Sequence, residues 1–138
     1  MRRRKSAPKD KKNVKIQVPV FGNEKITFYD WNDLALVVAK LSVTFDASGS
    51  VRQYRCGSVE IFDFKDSYVI SIPYQGRKYV MFVVKNATDE EIFDGLAKIA
   101  AERPEQLAVL RDVKCNTDNT ALKDRLAFII TSISMLIA

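Results

Sequence analysis

A pair of long strands joined by a two-residue turn restricts the fold of this sequence more than any other feature. The segment "YVISIPY" (68–74) alternates apolar residues on one face, "QG" (75–76) has the composition of a tight β-turn, and "RKYVMFVV" (77–84) follows. The second strand carries apolar side chains on both faces, which is typical of a strand that is central or covered on both sides. The sequence therefore predicts an antiparallel sheet containing this hairpin.

Further strands and a helix are predicted on the N-terminal side of the hairpin. Residues 14–22 alternate as a strand, which Pro19 restricts to an edge or an extended segment, and strands are also predicted at 59–64 and, as a short one, at 51–55. Asp30 is a residue type that is favoured at the N-cap, and it is predicted to begin a helix that reaches about residue 44 and has Trp31 on its apolar face.

Three helices are predicted after the hairpin. Thr88 and Glu91 have the spacing of a capping box, Pro104 suits the first turn of a second helix, and a last helix begins near Ala121. The fold class is therefore α+β, an antiparallel sheet of about four strands packed with helices, plus a C-terminal dimerisation helix.

The last helix, "LKDRLAFIITSISMLIA" (122–138), contains the most apolar stretch of the chain. Its apolar run is shorter than the roughly 20 residues that a membrane span needs, so no membrane anchor is expected. The helix either packs on its own domain or presents a seam to a second copy, and the heptad spacing favours a homodimer. The predicted seam consists of Leu122, Leu126, Ile129, Ile133 and Leu136.

Positive charge is concentrated at the N-terminus. Residues 1–15 hold eight Lys/Arg and one acidic residue, whereas the rest of the chain has a balance of −2 within a total of +5. We expect a disordered basic arm at 1–13 that attracts phosphates, an α+β nucleic-acid-binding domain at 14–116 and the dimerisation helix at 117–138. The charged N-terminus has no apolar core of a signal peptide, so a cytoplasmic location is expected.

The residue types present argue against most enzyme chemistries. The chain has no histidine and no glycine-rich phosphate loop, and its two cysteines, Cys56 and Cys115, stand 59 positions apart. We therefore expect no catalytic activity, no metal and no cofactor. Free buried thiols are the default expectation for the cysteines, with a disulfide between them as the alternative.

Aromatic and basic residues are interleaved along the predicted sheet, a combination that suits single-stranded nucleic acid. Tyrosine rings offer surfaces for base stacking, and Arg and Lys follow the phosphate backbone. The alternative is that the tyrosines are packing residues of the sheet and the cations keep the turns solvated. The candidate nucleic-acid-binding residues are Arg52, Tyr54, Arg55, Tyr68, Tyr74, Arg77, Lys78 and Tyr79.

In its organisation the chain resembles the ThermoDBP family of single-stranded DNA-binding proteins of hyperthermophilic archaea. The resemblance rests on the arm "RRRKSAPKDKK", the small α+β domain and the leucine-zipper-like helix "LKDRLAFIITSISMLIA". It implies a homodimer that binds single strands with little sequence preference, in an apolar cleft that is surrounded by basic residues.

Two functions follow from these expectations. The favoured one is non-sequence-specific binding and protection of single-stranded DNA. The same stacking and phosphate contacts would also suit single-stranded RNA. The alternative is a protein-interaction or assembly module, of viral origin for example, whose basic arm touches nucleic acid only incidentally.

Overall fold

In this computed structural model, the described residues, 21–32 and 51–137, form one antiparallel sheet and a set of helices. The predicted arm at 1–13, the strand predicted at 14–22 except its last two residues, and the helix and turn predicted between 33 and 50 lie outside these ranges. The described strands are β1 (Phe21–Gly22), β2 (Ile26–Asp30), β3 (Arg52–Cys56), β4 (Val59–Asp63), β5 (Ser67–Tyr74) and β6 (Arg77–Val84). The helices are α1 (Asp89–Glu102), α2 (Pro104–Ala108), a 3-10 turn (Val109–Asp112) and α3 (Thr120–Leu136).

The predicted hairpin is confirmed and lies in the middle of the sheet. The strand order is β1-β2-β6-β5-β4-β3, and each neighbouring pair is antiparallel. Gln75 and Gly76 have φ angles of 49° and 76°, the left-handed values that a two-residue turn of type I′ requires at both positions. β6 is buried on both faces from Tyr79 to Val83, as its apolar pattern predicted.

The α+β class is confirmed, but the sheet is wider than the predicted four strands. Six strands are present in the described residues, and the sequence analysis did not identify β2. β2 pairs with β6 through contacts such as Phe28↔Met81. β2 ends at Asp30, which was interpreted from the sequence as the N-cap of the following helix. The Asp30 carboxylate does accept a hydrogen bond from the Asn32 N–H at 2.9 Å, which is the bond expected of a cap.

The sheet has two different apolar faces. One face packs against the helices, and its buried side chains form a single cluster with those of α1, α2, the 3-10 turn and α3. The opposite face has a smaller cluster of its own, composed of Tyr29, Phe64, Val69, Val80 and Phe82 with Phe62 beside it. Both clusters are buried, which explains why the central strands carry apolar residues at consecutive positions.

The helices begin where the sequence predicted. Both bonds of the capping box are present, because the Glu91 N–H donates to Thr88 Oγ1 at 3.1 Å and the Thr88 N–H donates to Glu91 Oε1 at 2.9 Å. Pro104 opens α2, and Asn119 caps α3. Among the described residues, the longest apolar helix is still too short or too polar to cross a membrane.

A disulfide between Cys56 and Cys115 joins β3 to the segment before α3. The two Cα atoms are 4.5 Å apart, within the range that a disulfide spans. The default expectation of free thiols is therefore corrected. The spacing of 59 residues gave no sign of this contact, because only the folding of α1 and α2 over the sheet brings the two segments together.

Candidate nucleic-acid interface

The candidate binding residues that reach the surface lie in two separate patches. The hairpin-tip patch consists of the candidates Tyr74, Arg77 and Lys78 together with Trp31, and the β3 patch consists of Arg52 and Tyr54 on one face of β3 and Arg55 on the other. Arg52 of β3 pairs with Asp63 of β4, and Asp63 pairs with Tyr68 of β5. Arg52 and Tyr68 therefore lie at the same height along the strands. Tyr74 is six residues further along β5, which corresponds to about 20 Å at the usual rise per strand residue. The two patches therefore do not form one continuous site.

The hairpin-tip patch combines an exposed indole with a cation. Trp31 is 43% exposed, and Lys78 Nζ lies 5.0 Å from the centroid of its ring. The type I′ turn of the hairpin positions Lys78 here, and the end of β2 positions Trp31 directly opposite, since Asp30 pairs with Tyr79. Both residues line a shallow depression of about 570 Å³.

A second cation and a second ring lie at the same depression. Arg77 Nη2 is 2.9 Å from Asp30 Oδ2, with about half of the arginine side chain exposed. Tyr74 pairs with Arg77 at the end of the hairpin and is half-buried against the main core. The patch therefore offers two cations and one carboxylate, together with one exposed and one half-buried aromatic ring.

Trp31 was not predicted to be a surface residue. Its side chain was assigned to the apolar face of a helix most of whose other residues lie outside the described ranges, whereas in the structure Trp31 follows β2 in a 3-10 turn and its indole is 43% exposed. The signal that could have found it is the apolar run in "ITFYD", which forms β2 and ends directly before Trp31. Recognising β2 as the neighbour of β6 would have placed Trp31 next to Lys78.

Two predicted stacking residues, Tyr68 and Tyr79, are corrected to core residues. They are 5% and 6% exposed and face the helices, so neither ring is accessible to a base. Tyr79 stacks on Phe28 with ring centroids 5.6 Å apart. Burial, followed by the nearby Asp63 carboxylate, raises the pKa of Tyr68, and Lys85 Nζ lies 4.8 Å from its ring centroid.

The β3 patch is partly occupied by contacts within the protein. Arg55 forms an ion pair with Glu60 at 2.7 Å, and Gln53 donates to the same carboxylate oxygen at 2.9 Å. On the other face, Arg52 Nη1 is 3.5 Å from the Tyr54 hydroxyl, as expected for residues two apart on a strand. This arrangement leaves Arg52 as the exposed cation on that face of β3.

Beside Arg52 and Tyr54 lies a second open pocket, which we call the β3 pocket. Its volume is about 460 Å³, and the loop that precedes α3 forms its other wall. Asn119 connects that loop to the sheet, because its Nδ2 atom donates to Tyr54 Oη and to Asp63 Oδ2, both at 3.1 Å. The lining residues are Arg52, Gln53, Tyr54, Asn116, Thr117, Asp118 and Asn119.

The predicted dimer seam on α3 is corrected to a core face. Leu122, Leu126, Ile129 and Ile133 are between 0% and 3% exposed and belong to the main cluster of this chain. Leu136 is half-buried against the same cluster. The heptad spacing is thus explained by packing on α1 and the 3-10 turn, which was the alternative interpretation. A contact between copies through these five residues would require α3 to leave its own domain.

Comparisons of this chain with protein-family models, with curated proteins and with solved structures find no match.

Proposed function

We propose that this protein binds single-stranded DNA without sequence preference, with the hairpin-tip patch as the contact surface of the folded domain. The observation that carries the proposal is the exposed Trp31 indole with Lys78 beside it. An indole with almost half of its surface in water offers a face on which a nucleobase can stack.

The patch fits the two chemical parts of a single strand. A base can stack on the Trp31 indole, and stacking of one base on an aromatic side chain contributes about 1–3 kcal/mol. Lys78 and Arg77 lie at the rim of the depression, where they can meet the phosphates on either side of that base. Stacking does not depend on which base is present, which supports binding without sequence preference.

The same geometry favours single strands over duplexes. In a duplex the base faces are covered by neighbouring bases, so a shallow patch with one exposed indole has nothing to stack on. The Arg77–Asp30 pair also limits the positive charge of the patch, which reduces purely electrostatic binding to a duplex. In this proposal the basic arm at 1–13 adds affinity for any nucleic acid, and the patch provides the preference for single strands.

Fluorescence tests the stacking contact directly, because Trp31 is the only tryptophan of the chain. We expect an unlabelled single-stranded 20-mer to quench the tryptophan emission, and a duplex of the same sequence to quench it much less. In anisotropy titrations with labelled strands, Trp31→Ala should weaken single-strand binding by about tenfold or more. Val51→Ala, an exposed apolar residue near the β3 patch, is the matched control and should bind as the unaltered protein does.

Removing residues 1–12 separates the arm from the patch. The truncated chain should show a shallower dependence of binding on salt, because fewer counterions are released, but it should keep its preference for single strands. Binding that disappears with the arm, or that treats single strands and duplexes equally, would contradict the proposal and favour the assembly module. Unchanged affinity of Trp31→Ala would also contradict it.

A further inference from the structure

The loop that forms one wall of the β3 pocket is fastened to the sheet by a disulfide. Residues 113–119 connect the 3-10 turn to α3 and have no helix or strand. Cys115 lies in the middle of this loop, and its bond to Cys56 fixes it to the last residue of β3.

The second fastening within the described residues is the Asn119 side chain at the end of the loop. Its hydrogen bonds to Tyr54 and Asp63 attach the start of α3 to β3 and β4. Between Cys115 and Asn119 the side chains of Asn116 and Asp118 are exposed, and Thr117 is half-buried. The position of this wall therefore depends on the disulfide, on the two hydrogen bonds of Asn119 and on the packing of Val113 against the main core.

The two cysteine residues differ in their exposure to solvent. Cys56 is 1% exposed, whereas Cys115 is half-buried in a loop at the surface. β3 is also the last strand of the sheet in the described part of the chain, so no further described strand covers this side. A thiolate reductant can therefore reach Cys115 more easily than Cys56, and access to the attacked sulfur controls the rate of thiol–disulfide exchange.

We propose that the Cys56–Cys115 disulfide is a redox-sensitive latch that holds the loop wall of the β3 pocket in its place against the sheet and releases it on reduction. A dithiol reductant attacks Cys115 with one thiolate, forms a mixed disulfide and expels the Cys56 thiolate. Its second thiolate then releases Cys115, so that the reductant becomes a cyclic disulfide and the protein holds two thiols. The two electrons come from the dithiol, and both cysteine sulfurs take up a proton.

Release of the latch moves the loop and leaves the sheet in place. The core strands β5 and β6 are buried on both faces and do not depend on the disulfide for their hydrogen bonds. The loop, in contrast, loses the disulfide, which is its only covalent attachment within the described residues apart from the backbone. In the reduced protein, Arg52 and Tyr54 consequently face a wider and more mobile pocket.

Hydrogen exchange measured by mass spectrometry on the full chain tests this inference. With dithiothreitol, and with reduction verified by alkylation of two thiols, peptides that cover 113–119 should exchange about tenfold faster, while β5 and β6 keep their protection. The variant Cys56→Ala with Cys115→Ser should show the same pattern without reductant. Tyr54→Phe removes one acceptor of Asn119 and should accelerate exchange of the loop more in the reduced protein than in the oxidised one.

Three results would overturn the inference. The loop could exchange at the same rate in both states, which would show that the disulfide does not control it. The whole sheet could lose protection together with the loop, which would make the disulfide a general staple of the fold. The bond could also resist the dithiol in the folded protein, which would exclude a switch. None of these results depends on whether the protein binds single-stranded DNA.

Discussion

Asn119 and Tyr54 join the last helix to the edge of the sheet. The Nδ2 atom of Asn119 donates to Tyr54 Oη at 3.1 Å, while its Oδ1 atom accepts from the Leu122 N–H at the same distance. One side chain thus caps α3 and attaches it to β3. Because α3 covers one side of the main core, this contact fixes the position of α3 against that core.

Replacement of Asn119 should destabilise the fold. In Asn119→Ala the helix loses its cap, and Tyr54 and Asp63 lose a donor in a partly buried place, so we expect a loss of about 1–3 kcal/mol in the free energy of unfolding. Urea denaturation measures this loss. Asn119→Asp keeps the cap but brings a carboxylate next to Asp63, so it should not restore full stability. A change below about 0.5 kcal/mol in the alanine variant would show that the contact is not structural.

Gly95 allows α1 to approach the sheet closely. A Cβ atom at this position would lie 2.0 Å from Ile26 Cγ2 and 3.0 Å from Asn23 Nδ2. Ile26 is fully buried and its branched side chain has little freedom to move, so the helix would have to shift. We expect Gly95→Ala to cost about 1–3 kcal/mol of stability in spite of the better helix propensity of alanine.

Asp94→Ala is the control for this prediction, because Asp94 is the exposed neighbour of Gly95 in the same turn. Thermal denaturation should give a clearly lower melting temperature for Gly95→Ala and only a small change for Asp94→Ala. Equal melting temperatures in Gly95→Ala and the unaltered protein would mean that α1 can move away from β2 at no cost.

The position of Leu126 decides between a core helix and a dimer seam. Leu126 is 3% exposed, so Leu126→Ala should cost about 2–5 kcal/mol of stability through lost burial and a cavity. Met135 on the same helix is 69% exposed, and Met135→Ala should stay within about 0.5 kcal/mol. Chemical denaturation combined with analytical ultracentrifugation measures both stability and mass. If Leu126→Ala kept its stability but sedimented as a smaller oligomer than the unaltered protein, the hypothesis of a dimer seam on α3 would be restored.

The capping box of α1 should make stability depend on pH. The hydrogen bond from the Thr88 backbone N–H is the main cause that lowers the pKa of Glu91 below its ordinary value. A carboxylate with a lowered pKa in the folded state stabilises the fold above its unfolded-state pKa, and this contribution is lost as pH falls through the folded-state pKa. The advantage of the unaltered protein over Glu91→Gln should therefore shrink on acidification in denaturation experiments. Glu90→Gln, in the same exposed turn, is the control, and an equal trend in both variants would contradict the prediction.

Local signals in the sequence were sufficient for most of the elements. The "QG" turn, the Thr88–Glu91 capping box and Pro104 each act within a few residues, so the positions of the turn and of the helix starts follow from nearby chemistry and were predicted correctly. β2 was missed because five residues that end at a cap are a weak pattern, and its identity as a strand depends on pairing with β6 about fifty residues later.

The candidate site was less predictable than the elements. Tyrosines at alternating positions fit stacking and packing equally well, and only the helices that cover one face of the sheet decide that Tyr68 and Tyr79 are packing residues. The heptad spacing of Leu122 and its partners was equally ambiguous, because a helix needs the same apolar stripe for its own core and for a second copy.

By itself, the sequence determined the α+β class, the central hairpin and the starts of the helices, because these depend on the period of apolar residues and on the chemistry of turns and caps. The tertiary structure alone decided which aromatic rings remain exposed, that Trp31 meets Lys78, and that Cys56 lies beside Cys115. These are contacts between residues far apart in the chain, and they are fixed by which faces the sheet and the helices bury against each other.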